Sequence, residues 1–366
     1  MKKFLLIALS VMMLVLMAGC QKAEPVNQSN NHNEVKPKQK IIGILMPQKD
    51  SPRWTKDGNN LKYEFEKRGY KVDMQNSDNN VEKQRSQLKY MIDNGADIII
   101  VAAVDSGALA DILVAAKEKL IPVIAYDRLI MNSDAVSFYV TFDNKAIGMF
   151  FGEFVEDTLG LKDGRGSFNV EFVGGSLDDN NAIIVNSGIF EVLYPYIENG
   201  QIKVPSGQIS LSETNTYRWF SEEAYTRVTK LLINTYNGIK PDAIICSSDG
   251  LAEGAVKALD EQGYTVGVNW PIITGQDADI SAIKNIIAGK QSMTLFKDTR
   301  VLSAKCAEMV IDIMEGKLPD INDNMTYDNG SIIVPSYLCQ PVLVTKENFK
   351  EVLLDTGYYA AEDVGL

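Results

Sequence analysis

Asp97-Ile98-Ile99-Ile100-Val101-Ala102 is an apolar, β-branched run about one strand long. A run with no polar alternation reads as a strand buried on both faces. On its N-terminal side, Val81 to Asn94 carries Gln84, Leu88 and Met91 at a spacing of about four, a helical period. On its C-terminal side, Ala108 to Lys119 reads as a helix and Pro122-Val123-Ile124-Ala125-Tyr126 as the next strand. Further upstream stand the strand Ile41-Ile42-Gly43-Ile44-Leu45-Met46 and a helix from Trp54 that stops at Gly69. A second strand, Tyr70 to Gln75, follows. Apolar strands alternating with amphipathic helices imply a parallel sheet covered on both faces.

The pattern then repeats. Strands are expected at Phe138–Thr141, Phe168–Val173, within Gln201–Ile209, at Ala243–Cys246, Pro271–Thr274 and Met293–Leu295. Helices are expected at Lys145–Leu159, Asn181–Tyr194, Glu222–Tyr236, Leu251–Gln262, Ile280–Ala288 and Thr299–Met314. The fold class is therefore α/β, with two doubly wound parallel-sheet lobes in tandem. None of the strand-to-helix steps contains a G-x-G-x-x-G or a P-loop sequence, so a nucleotide-phosphate cradle is not indicated.

Composition narrows the chemistry. The 366 residues hold 45% hydrophobic and 23% charged side chains, an ordinary globular balance. A net charge of -12 opposes nucleic-acid binding, which needs excess Lys and Arg. The single histidine, His32, lies in a polar stretch, which argues against a Ser-His-Asp triad, a Cys-His dyad or a His-rich metal site. No catalytic residue, metal or cofactor is expected. Of four cysteines, Cys246 sits in an apolar strand and reads as a buried thiol; whether Cys306 and Cys339 pair depends on a separation that sequence does not give.

In doubly wound sheets ligands bind beyond the carboxyl ends of the strands. Those ends are polar here: Asp50-Ser51-Pro52-Arg53-Trp54, Asp105, Asp127-Arg128, Asp143-Asn144, Asp178-Asp179-Asn180-Asn181, Ser248-Asp249, Gln276-Asp277 and Lys297-Asp298. Carboxylates, amides and cationic donors near an aromatic ring suit a sugar. Each hydroxyl both donates and accepts, and the C–H faces of a pyranose pack on flat rings.

The N-terminus reads as an address. Lys2 and Lys3 precede an apolar run from Phe4 to Ala18, shorter than the about 20 residues of a membrane span and suited to a secretory signal. The following Leu16-Met17-Ala18-Gly19-Cys20 resembles a bacterial lipobox. That implies cleavage before Cys20 and a diacylglyceryl thioether on it. Residues 20–40 then form a lipidated, polar, aperiodic tether that includes His32.

Seven stretches in order make the chain resemble a known group. They are Arg53-Trp54 with Asp57-Gly58-Asn59-Asn60, Ala125-Tyr126-Asp127-Arg128-Leu129-Ile130, Thr141-Phe142-Asp143-Asn144, Asp178-Asp179-Asn180-Asn181-Ala182, Ser248-Asp249-Gly250, Gly275-Gln276-Asp277-Ala278-Asp279 and Phe296-Lys297-Asp298-Thr299-Arg300. From residue 41 to about 360 the chain resembles the sugar-binding lipoproteins of bacterial ABC importers. Within them it is similar to the xylose-binding and multiple-monosaccharide-binding proteins of the ribose/galactose-type group.

The resemblance implies a type I periplasmic binding protein fold, with lobes joined by three crossovers near Thr141–Asn144, Phe296–Asp298 and Val334–Ser336. It divides the chain into a signal (1–19), a tether (20–40), an N-terminal lobe (41–142 with 298–334) and a C-terminal lobe (143–297 with 335–366). It carries sugar contacts onto Arg53, Trp54, Asp127, Arg128, Asp179, Asn181, Trp219, Asp249, Asp277 and Lys297. Asp127 and Arg128 are expected as one carboxylate–guanidinium pair. Trp54 and Trp219 also fit simple packing, and Asp179 and Asp249 also fit helix capping. Asp105 reads as a support or cap and not as a contact. Lys297 stands where the ribose type is expected to carry an amide, which favours the xylose/multiple-sugar branch.

The implied function is capture of an aldopyranose such as xylose, glucose, galactose or arabinose between closing lobes. Delivery is to an ABC permease, from a monomer held at the extracytoplasmic face of the membrane by its lipid. A sensor that shows its closed form to a signalling or chemotaxis receptor is the alternative. A glycosidase is disfavoured because adjacent acids such as Asp178-Asp179 do not specify carboxylates facing across a sugar.

Overall fold

A computed structural model describes residues 39–366. The signal, Cys20, His32 and most of the tether lie outside the described residues. The first sheet is built from β1 (Ile41–Met46), β2 (Lys71–Asn76), β3 (Ile98–Val101), β4 (Val123–Tyr126) and β5 (Phe138–Phe142). Its helices are α1 (Pro52–Glu66), α2 (Val81–Asp93) and α3 (Ala110–Glu118). The second half runs α4 (Asn144–Leu159), β6 (Phe168–Val173), α5 (Asn180–Glu198), β7 (Ile202–Lys203), the single turn α6 (Leu211–Thr214), α7 (Ser221–Asn234) and β8 (Ala243–Cys246). It continues with α8 (Asp249–Glu261), β9 (Ile272–Ile273), α9 (Ile280–Ile287), β10 (Thr294–Phe296), α10 (Thr299–Met314), β11 (Ser336–Cys339) and β12 (Val342–Val344).

The strand order is β2-β1-β3-β4-β5-β11 in the first sheet and β7-β6-β8-β9 in the second, all parallel. The run that opened the sequence reading sits at the centre of the first sheet, with Ile98 opposite Ile42 and Val101 opposite Ala125. Its four side chains are fully buried and split by the strand period of two. Ile98 and Ile100 join a core with Leu61 and Phe65 of α1; Ile99 and Val101 join another with Leu88 of α2 and Leu113 of α3. Each such side chain contributes about 1.5–3 kcal/mol by leaving water. The same division occurs in β8, where Ala243 and Ile245 face one core and Ile244 and Cys246 the other.

One expectation needs correction. The third passage between sheets is not near Val334–Ser336, because Ser336–Cys339 pairs in parallel with Tyr139–Phe142 as the sixth strand of the first sheet. The chain leaves that sheet at Gln340–Pro341 and forms β12, antiparallel to β10. Residues 335–339 therefore belong with the N-terminal lobe. This strand is polar at its start and short, so it lacks an apolar signature. The short strand expected within Gln201–Ile209 is Ile202–Lys203; Ser206 beyond it is tied to the buried Glu171 through its amide (3.0 Å) and hydroxyl (2.7 Å). Cys246, Cys306 and Cys339 are buried free thiols.

Candidate functional site

The carboxyl ends of the two sheets face one another across a cleft of about 270 Å³, near the lower end of small-ligand pockets. The first lobe contributes the turn after β1. Pro52 starts α1 with its fixed φ, and the next residues, Arg53 and Trp54, occupy the first turn. The Arg53 guanidinium bonds the Asp127 carboxylate, reaches Asp277 of the other lobe at 3.2 Å, and lies 3.5 Å from Asp57. Burial alone would lower the Arg53 pKa; the three carboxylates reverse this and hold it well above the ordinary value. Trp54 is almost fully buried, with the Arg53 and Arg128 guanidiniums 4.9 and 5.3 Å from its ring centre.

Asp127 follows β4 with φ of 59°, a left-handed conformation uncommon for a non-glycine residue. Three donors converge on its carbonyl oxygen: the Tyr139 hydroxyl (2.6 Å), the Thr141 hydroxyl (2.9 Å) and the Asn181 amide (2.9 Å). Asp127 and Arg128 do not pair with each other. Arg128 instead reaches Asp179 of the second lobe at 3.0 Å and donates to the carbonyls of Ala103 and Val104. The left-handed turn sends adjacent side chains in different directions, so sequence neighbours acquire separate partners. Asp105 caps its own turn by accepting from the Gly107 amide.

In the second lobe, Asp179 is both a cap and a contact. Its carboxylate accepts from the Asn181 amide at the start of α5 and faces Arg128. Burial raises its pKa, and Arg128 partly offsets that. Asn181 receives the Tyr139 hydroxyl (3.0 Å) and the Asn144 amide (2.9 Å). Trp219 lies at the cleft with φ of 60°, its indole packed against Gly175, where a Cβ would come within 2.1 Å of the ring. Its buried Nε1 has no hydrogen-bond partner. Asp277, at φ 103°, accepts from Lys297 at 2.8 Å and from Arg53. Burial would raise its pKa, but Lys297 and Arg53 overcome this and hold it below the usual range. Asp279 beside it is pushed up to about 6, by burial first and by Asp277 second.

Nine of the ten expected residues line the cleft. The exception is Asp249, which lies behind the lining, 1% exposed, with its carboxylate bonded to Gln291, Thr294 and the Asp279 amide. Residues that sequence reasoning did not assign also line it, among them Asn79, Asn144, Arg218, Phe220, Gln276 and Asp279. Arg218 donates across the cleft to the Asn79 carbonyl. The aromatic and cationic run Tyr217-Arg218-Trp219-Phe220, in a segment without apolar period, was the available signal for Arg218 and Phe220. Of nine non-glycine residues with positive φ among the described residues, five line the cleft: Asn79, Asp127, Arg218, Trp219 and Asp277. Backbone strain concentrated at one place marks a functional site.

Comparison with known proteins agrees. The periplasmic binding protein domain matches residues 42–318. The multiple sugar-binding periplasmic receptor ChvE of Rhizobium radiobacter is 45% identical over 324 residues, 88% of this chain and 92% of that protein. The D-xylose-binding periplasmic protein of Escherichia coli K12 is 33% identical over 350 residues, 96% and 98% of the two chains. An ABC transporter solute-binding protein from Clostridium phytofermentans, solved with bound β-D-glucose, superposes with a TM-score of 0.86 at 44% identity, covering 89% of this chain and all of that one. Two parallel sheets opposed across a polar cleft and a match that runs through both of them lead to one assignment: the chain belongs to the periplasmic binding protein family, whose members are type I solute-binding proteins.

Proposed function

We propose that this protein captures a neutral aldopyranose between its lobes and delivers it to an ABC permease. The observation that carries this reading is Arg53, a first-lobe cation bonded at once to Asp127 of its own lobe and Asp277 of the other. A ring of such charge-paired groups offers a sugar hydroxyl both a strong acceptor and a strong donor. The open indole of Trp219 offers its C–H face a partner. The site residues of this reading are Arg53, Trp54, Asp127, Arg128, Asp179, Asn181, Trp219, Asp277 and Lys297. Relatives named for multiple-sugar and xylose binding, and two neighbours solved with glucose, support an aldose over other polyols.

Titration calorimetry against D-xylose, D-glucose, D-galactose and L-arabinose tests it. One-to-one binding of at least one is expected; no heat from any of them with folded protein would overturn the reading. Family membership implies an extracytoplasmic location, and a lipid on Cys20 would hold a monomer at the membrane there. Labelled fatty acid is then expected to mark the wild-type chain and not a Cys20→Ser chain, and a wild-type chain that takes up no label removes the anchor. Sensing is the second reading, favoured by the relative named as a receptor. Loss of labelled-sugar uptake on gene deletion supports transport, while unchanged uptake favours sensing.

A further inference from the structure

Resting on the reading that Asp277 touches the sugar, we propose that Asp249 is the positioning residue that sets Asp277, acting through the backbone of the turn 277–279. The turn is strained. Asp277 and Ala278 are consecutive non-glycine residues at φ 103° and 54°, which cost about 1–3 kcal/mol each unless the surroundings enforce them. The surroundings do enforce them. The Asp277 amide donates to the Leu295 carbonyl at 2.8 Å. The Ala278 amide donates to the Thr294 hydroxyl at 3.2 Å, and that hydroxyl donates onward to Asp249 Oδ2 at 2.9 Å. The Asp279 amide donates to the same oxygen at 2.9 Å.

Two of the turn's three amides are thus fixed by one carboxylate, directly or through Thr294. The other oxygen of Asp249 accepts from Gln291 Nε2 at 2.8 Å, so both oxygens are engaged. Gly275 makes this possible, since a Cβ there would come within 2.2 Å of Asp249 Oδ1. The carboxylate is buried and absent from the cleft lining, so it acts on the sugar only by way of the turn.

The test is a double-mutant cycle in the full chain, read by calorimetric titration with D-glucose and D-xylose. Asp249→Ala is expected to weaken sugar binding by about 10- to 100-fold. The same change is expected to cost little in an Asp277→Asn background, because the group it positions has already changed. Asp249→Asn is expected to recover most of the loss. Its oxygen can accept from Thr294 and the Asp279 amide, the two contacts that reach the turn; the bond given up is the one from Gln291 Nε2, which keeps the Met293 carbonyl. A merely stabilising Asp249 would lower the melting temperature without this dependence on Asp277.

Thr294→Val breaks the relay to Ala278 alone and follows the same cycle if Asp249→Ala does not fold. An equal loss in both backgrounds, or an Asp249→Asn as poor as Asp249→Ala, would overturn the proposal. If the wild-type chain bound neither sugar, the cycle is read with D-galactose or L-arabinose, and binding of none of the four would end the capture reading and this one with it.

Discussion

Asp127 and Asp277 are the same device built twice, with different supports. Each is a carboxylate just beyond a strand, in a left-handed conformation, bonded to Arg53. The Asp127 carbonyl is held by two donors from its own lobe and by Asn181 from the other. The Asp277 turn is held within the second lobe, through Thr294, Asp249 and the Tyr359 hydroxyl, which donates to the Ala278 carbonyl at 2.9 Å. Its cross-lobe link is instead the carboxylate itself, through Arg53. The first-lobe acid therefore depends on closure for part of its backbone support, and the second-lobe acid for one of its two cations. A ligand that draws the lobes together completes both, which is how contacts from two lobes stabilise a closed state.

Removing the shared cation breaks both halves of the comparison. Arg53→Ala leaves Asp127 and the fully buried Asp57 without their guanidinium, a truncation that costs about 3–5 kcal/mol in buried pairs. Sugar affinity is expected to fall by roughly 10²–10³-fold, read by calorimetry. A loss under about tenfold would show that Arg53 does not bridge the bound state. Asp127→Ala is milder, since Arg53 keeps Asp277 and Asp57. At least about 2 kcal/mol of binding should be lost, and unchanged affinity would remove Asp127 from the site.

The sequence was readable wherever a local rule carried the information. The buried runs at 98–101 and 243–246 specified parallel strands because β-branched continuity admits few other environments. The strand-end stretches hold eight of the nine expected cleft residues, and Trp219 came from the family resemblance alone. Pairing was not readable. Asp127 and Arg128 are neighbours in the chain but diverge in space, because the φ at Asp127 cannot be inferred from its side chain. For Asp249 the resemblance points to the sugar while capping stays open, because a strand-end acid looks the same whether it faces the cleft or its rear. Deciding between them needed Gly275, Gln291 and Thr294, which come from three separate positions in the second lobe. Strand β11 was hidden because its partner, not its own composition, makes it a strand.

A smaller effect sharpens the comparison from the second lobe's aromatic side. Gly175→Ala would force the Trp219 indole off its seat, since the added carbon would lie 2.1 Å from the ring. Overpacking of this kind costs about 1–3 kcal/mol. If the indole stacks on sugar, affinity should drop about tenfold while the carboxylates stay in place. Indole fluorescence and titration should change together; altered fluorescence with unchanged affinity would return Trp219 to a packing role.

The last effect is on stability and not on affinity, and it concerns the acid behind Arg53. Asp57 is buried and pushed up to about 7, by burial first; Arg53 and the Tyr126 hydroxyl, which donates at 2.5 Å, pull the other way. In the unfolded chain an aspartate titrates near about 3.9. Between these values the folded state binds more protons than the unfolded state, so stability falls as pH rises through that window. The contribution is fully present below about pH 4 and lost above about pH 7. Asp57→Asn removes the titration, yet its side-chain oxygen can still accept from Tyr126. The melting temperature of the variant relative to wild type, measured without sugar, should therefore rise as pH goes from about 5 to 8. A difference that stays flat across that range would mean Asp57 is ionised throughout, with Arg53 and not burial setting its charge.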